Sequence, residues 1–151
     1  MPKIQFLILD DETKQYHVLN SIAFNDDLQD EIPENFIIVK YGQTDWSKGD
    51  EFGSFEFSEA DANRVIEDFK SRNRDVVFDY EHQTLSGKEA PASGWITNLK
   101  KTEIGLLAEV NWTDKAKKYI KSREYRYHSP VIHFDAGKPF RLHSCALTNK
   151  P

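Results

Sequence analysis

Two runs, Tyr125–Phe134 and Phe140–Leu147, flank Asp135-Ala136-Gly137-Lys138. Asp and Gly are turn formers for distinct physical reasons, so this pattern predicts a β-hairpin that folds one run back on the other. The rest of the chain offers more material of the same kind. Ile4–Leu9, Phe36–Val39 and Asp75–Tyr80 are short apolar runs that read as strands. Trp95–Leu99 and Leu106–Trp112 are two more, separated by Lys100–Gly105 as a second hairpin.

Two stretches carry helical spacing instead. Ser58 stands where a helix N-cap is needed, and Glu59 and Asp61 put negative charge in the first turn. Ala62, Val65, Ile66 and Phe69 then share one face, and the helix is expected to end near Arg72–Asn73. Thr113 caps a second, shorter helix with Ala116, Tyr119 and Ile120 toward the core. Tyr41–Phe57 and Gln83–Ser93 read as loops, the first with room for a short strand. The fold class that follows is α+β: a mainly antiparallel sheet, able to curl toward a barrel, with at least two helices packed outside. A length of 151 residues fits one domain with a single core.

Composition removes several classes of function. The net charge of -5 gives no overall positive field for a phosphate backbone. The basic residues Lys115, Lys117, Lys118, Lys121, Arg123 and Arg126 are expected to form a solvated helix face, so no nucleic-acid partner is implied. One cysteine, Cys145, rules out an intramolecular disulfide, suits a reducing cytosol, and sits in an apolar pattern as a small core residue. No apolar run approaches the ~20 residues needed to cross a bilayer. The start, MPKIQFLILDD, lacks a small-residue cleavage site before its acidic residues and is not expected to be a signal peptide. These features predict a cytoplasmic protein without a membrane partner.

Five histidines are present: His17, His82, His128, His133 and His143. His17 lies in a polar context and reads as a surface residue. His82 lies where a strong strand empties into a loop, a usual place for a reactive side chain held by a rigid scaffold. A turn centred on Ala136 would place Ser129 opposite His143. A turn centred between Ala136 and Gly137 would place it opposite Ser144, unless a bulge near Pro130 or Pro139 restores the first register. A serine hydroxyl needs a base to take its proton, and neutral imidazole suits that task. A third group must orient the base, and a second histidine can accept that hydrogen bond. Ser129, His82 and His143 can therefore serve as nucleophile, base and orienter.

Asp79, Glu81, His82, His128, His133 and His143 are also possible metal ligands. The spacings of known zinc motifs are missing, and His128 and His133 would face opposite sides of a regular strand. Asp79 and Glu81 read as local hydrogen-bonding or solvated groups. Trp95, Trp112, Tyr125 and Tyr127 read as core packing rather than a binding surface.

Five ordered segments add a resemblance. Asp79-Tyr80-Glu81-His82-Gln83, Gly94-Trp95-Ile96, Asn111-Trp112-Thr113, Glu124-Tyr125-Arg126-Tyr127-His128-Ser129-Pro130 and Ala146-Leu147-Thr148-Asn149 closely resemble the I protein of Mu-like phages and prophages, a protease joined to a scaffold. That family is similar to other tailed-phage prohead proteases and, distantly, to herpesvirus assemblin. The resemblance implies an assemblin-like fold and a serine endopeptidase with Ser129 as nucleophile, His82 as base and His143 in the third position. It implies cleavage of scaffold and coat proteins, and of the protease itself, within the immature capsid in the bacterial host cytoplasm. It implies no cofactor and is compatible with self-association. Pro130 has no N–H, so that position cannot donate to an oxyanion. A scaffolding region is expected to follow in the family, and residues 1–151 are read as a single protease domain without it. The rival readings are a non-catalytic module that holds scaffold or coat protein, and a metal-dependent hydrolase.

Overall fold

The computed structural model describes residues 16–24 and 32–150; the strand read at Ile4–Leu9 lies outside them. Along the described residues run β1 (Tyr16–Leu19), β2 (Ile22–Ala23), β3 (Asn35–Lys40), β4 (Gly42–Lys48), β5 (Glu51–Phe57) and helix α1 (Glu59–Arg72). β6 (Val76–Tyr80), a 3-10 turn (Gln83–Ser86), β7 (Gly94–Lys101), β8 (Gly105–Trp112), helix α2 (Asp114–Lys121), β9 (Tyr127–Asp135) and β10 (Lys138–Thr148) follow. The described residues form an α+β fold, a mostly antiparallel, curled half-barrel sheet with two helices. Strand order is β3-β8-β7-β6-β10-β9-β1-β4-β5, with β2 also on β9.

Helix α1 starts in a reciprocal cap. Ser58 Oγ accepts from the Asp61 N–H at 3.2 Å, and the Ser58 N–H donates to Asp61 Oδ2 at 2.9 Å. The helix stops at Asn73, whose left-handed backbone (φ 48°) ends the ladder, and it buries Ala62, Val65 and Phe69. Helix α2 starts on Thr113, which accepts from the Ala116 N–H at 3.2 Å, and buries Ala116 and Ile120. Most of the basic residues between 115 and 126 are exposed, as a solvated face requires.

Tyr41–Phe57 is a full hairpin, β4 against β5, where a loop was expected. Gly49 turns it with φ 60°. Gly53 lies opposite Trp46, and a Cβ there would fall 2.4 Å from the indole. Gly53 is the seat on which the Trp46 ring lies.

The site depends on β10. It pairs antiparallel with β9 and parallel with β6, and every other pairing in the sheet is antiparallel. Two register shifts, between Pro139 and Arg141 and between Leu142 and Ser144, each place one extra residue in β10. They move the pairing further from the turn than either symmetric register allows. Ser129 therefore faces Ala146, neither His143 nor Ser144.

Candidate active site

The parallel pair aligns Asp79 beside Ala146, and the hairpin aligns Ala146 beside Ser129. The chain leaving β6 thus emerges next to the nucleophile candidate. The Glu81 N–H extends the ladder to Leu147 O at 2.9 Å. Glu81 and His82 then both take left-handed backbone, φ 55° and 58°. Neither is glycine, so each costs about 1–2 kcal/mol. Leu85 N–H donating to His82 O, and Thr84 N–H donating to Asp79 Oδ2 at 3.0 Å, hold the turn in place.

This turn aims the His82 ring at β9. His82 Nε2 lies 3.0 Å from Ser129 Oγ. The Ser129 hydroxyl also reaches the Leu19 carbonyl at 2.6 Å. A hydroxyl has one proton, so Leu19 O and an unprotonated His82 Nε2 compete for it. Both side chains line a cavity of about 290 Å³ bounded by Val18–Ser21, Ser47, Glu81, Thr148 and Lys150. Burial lowers the pKa of His82 below the ordinary imidazole value; Asp79 and Glu81 oppose that shift and His143 adds to it. A neutral imidazole beside a serine hydroxyl, at the wall of a cavity, is competent to take the hydroxyl proton.

His143 sits within the second bulge of β10. Its Nδ1 lies 2.9 Å from Ser144 Oγ. Its ring packs on His133 (centroids 5.2 Å apart) and stacks on Tyr16. Tyr16 pairs with His133, and His133 is an even number of residues from Ser129, so this cluster stands on the Ser129 face. The structure brings Ser129 and His82 into hydrogen-bond distance; His143 is near enough to bias His82 by charge, and its hydrogen bond goes to Ser144.

The other histidines do different work. His128 is 1% exposed, packs between Phe24 and Phe36, and burial lowers its pKa to about 3. His133 is lowered to about 4, first by burial and then by the charges of His143, Arg141 and Arg72. His17 is half-buried, with its ring against Trp46 and Phe134, where a surface residue was expected. Cys145 is fully buried and its thiol is pushed up by that burial, as suits a core residue. Trp95 is largely exposed rather than packed in the core; Trp112 is buried and donates to Pro33 O. Among the described residues, no three His, Cys, Asp or Glu side chains gather as metal donors.

Sequence reasoning missed one contact of Ser129, the Leu19 carbonyl, which carries no side-chain signal at all. Asp79, read as a local hydrogen-bonding or solvated group, accepts locally from Thr84 and has no exposed surface.

A family model described as the Mu-like prophage I protein, N-terminal domain, matches residues 37–151. The Mu-like prophage FluMu I protein of Haemophilus influenzae is 33% identical over 104 residues, covering 60% of this chain and 29% of that protein. Protease I of Escherichia phage Mu is 33% identical over 101 residues, covering 60% of this chain and 28% of that protein. The matched region spans less than a third of the length of these relatives. No solved structure matches the chain.

Proposed function

This chain belongs to the Mu-like prophage I protein family, and on that premise we propose that it is a serine endopeptidase of phage capsid maturation. The observation that carries the reading is the 3.0 Å separation between His82 Nε2 and Ser129 Oγ at the wall of a cavity. The name Protease I, borne by the relative from phage Mu, supports the same class of chemistry.

In the reaction, substrate peptide enters the cavity and the Ser129 hydroxyl turns from Leu19 O to His82 Nε2. His82 takes the proton as Ser129 Oγ attacks the scissile carbonyl carbon. The tetrahedral intermediate collapses, His82 gives the proton to the departing amine, and an acyl-enzyme remains on Ser129. Water, deprotonated by His82, then attacks the acyl carbon; the bond to Ser129 Oγ breaks, His82 returns the proton to that oxygen, and the acid leaves. His143 is the third member of the site: its Nδ1 is engaged by Ser144, and its charge bears on the pKa of the base. Pro130 leaves the oxyanion to other donors. The substrates are scaffold and coat proteins of the immature capsid, in the host cytoplasm, and the protease chain itself.

Incubating the protein with its phage's scaffold and coat proteins tests this directly. Cleavage by the native chain and none by Ser129→Ala is the expected result. Binding of either protein without cleavage, unchanged in Ser129→Ala, would replace the protease reading with a non-catalytic assembly module.

A further inference from the structure

Ser129, Ala146 and Asp79 occupy one row across β9, β10 and β6. Residues directly beside each other on neighbouring strands present their side chains to the same face. Asp79 therefore stands on the Ser129 face, and Ala146 between them contributes only a methyl group. The carboxylate is fully buried, and its two oxygens differ. Oδ2 accepts from the Thr84 N–H at 3.0 Å and from the Thr84 hydroxyl. Oδ1 is buried with no hydrogen-bond partner among the described residues. The same holds for Nδ1 of His82, three residues along the chain and folded back by its left-handed turn. Two complementary buried groups without partners, in one site, are unusual in a folded protein.

We propose that Asp79 is the positioning residue of this site: its Oδ1 accepts the Nδ1 hydrogen of His82. The inference rests on the serine endopeptidase reading and supplies the anion that a pair of histidines lacks. The bond fixes the tautomer that leaves Nε2 free to accept the Ser129 proton, and it balances the imidazolium formed when that proton arrives. Such bonds are often long in an unliganded site and tighten around substrate. Other charges facing His82 are Glu81 from its own turn, which is exposed and screened, and His143 from β10. Arg72 from α1 acts on His143, and Lys150 lines the cavity beyond β10. Against the burial of His82, Asp79 is the foremost charge favouring its imidazolium, and it acts on His143 in the same sense.

The test combines ¹⁵N NMR of the histidine rings with kinetics, on the native chain and on Asp79→Asn. The asparagine can still accept from Thr84, so the turn keeps its anchor. In the native protein the neutral His82 ring is expected to carry its proton on Nδ1. In Asp79→Asn the His82 pKa should fall by about one unit or more. The rising limb of the pH–rate profile should move down with it, and kcat should drop on the order of 100-fold or more with little change in KM. A loop-anchoring role alone would leave the limb where it is. A native His82 protonated on Nε2, or an Asp79→Asn protein with unchanged His82 pKa and kcat, overturns the proposal. If Asp79→Asn does not fold, the native tautomer decides the matter alone. If the tautomer and the pKa shift appear but no cleavage is found, the protease reading fails and the Asp79–His82 bond stands.

Discussion

Replacing His128 with phenylalanine should flatten the acid side of the stability curve. His128 is 1% exposed between two phenylalanine rings, and burial brings its pKa to about 3. In the unfolded chain the same ring titrates near ~6.5. Below that value the unfolded state binds more protons than the folded one, so acid favours unfolding. The stabilisation due to neutral His128 is fully present above about 6.5 and is lost as pH falls toward 3. Between pH 7 and pH 5 the loss is about 2 kcal/mol, and it hardly depends on the folded value once that lies well below 5. Against a typical stability of roughly 5–15 kcal/mol, this is large enough to measure. Urea unfolding of the native chain and His128→Phe at pH 7, 6 and 5 reads it out. Phenylalanine keeps an apolar ring against Phe24 and Phe36 and removes the titrating group. The native curve should fall about 2 kcal/mol further than the variant's over this range. Equal slopes would show that His128 can gain a proton in the folded state, and the account of this core would be wrong.

Ser129→Ala and His82→Ala should each abolish cleavage with the fold intact by circular dichroism, while His143→Ala should cost less; full activity in folded Ser129→Ala would remove the mechanism. Because burial holds His82 below the ordinary histidine value, the pH–rate profile should already be rising below about 6.5. A limb centred well above 7 would mean that the base is another group. Gly53→Val should destabilise the protein by about 1–3 kcal/mol, read as a lower Tm, because its Cβ meets the Trp46 ring. Ser58→Ala should cost about 1 kcal/mol in the same assay, because it removes half of a reciprocal cap.

What could be read from the sequence was local chemistry. Ser58 and Thr113 announce their helices because a cap is set by residues within one turn. Asp135-Ala136-Gly137-Lys138 announces its hairpin for the same reason. Ser129 and His82 stood out as candidates through their surrounding motifs, and their side chains lie 3.0 Å apart. The register was not: bulges at β10 depend on what packs against that strand, and two of them carried Ser129 past both symmetric partners to Ala146. His17 was misread: it looks polar in its own segment and is covered by Trp46 and Phe134 from elsewhere. Asp79 bonds locally to Thr84, one of the two readings given for it, and is buried among the central strands rather than solvated. Tyr41–Phe57 was read as a loop with room for a short strand, and it forms a hairpin in which Gly53 makes space for the Trp46 ring, a packing that the segment's own sequence does not show.

The strand order has a consequence for when the site exists during synthesis. β3, β8, β7 and β6 lie on one side of β10, and β9, β1, β4 and β5 on the other. His82 follows the first group and Ser129 belongs to the second. In the ladder, β10 is the strand that joins them, and it is made after every other described element. The strands of both half-sheets are therefore made while Ser129 and His82 still lack the strand that aligns them. Closure is a long-range event between β6 and a strand more than fifty residues downstream, the slow kind of contact in folding. In the peptidase proposed above, Ser129 and His82 are aligned only once the last described strand has been inserted.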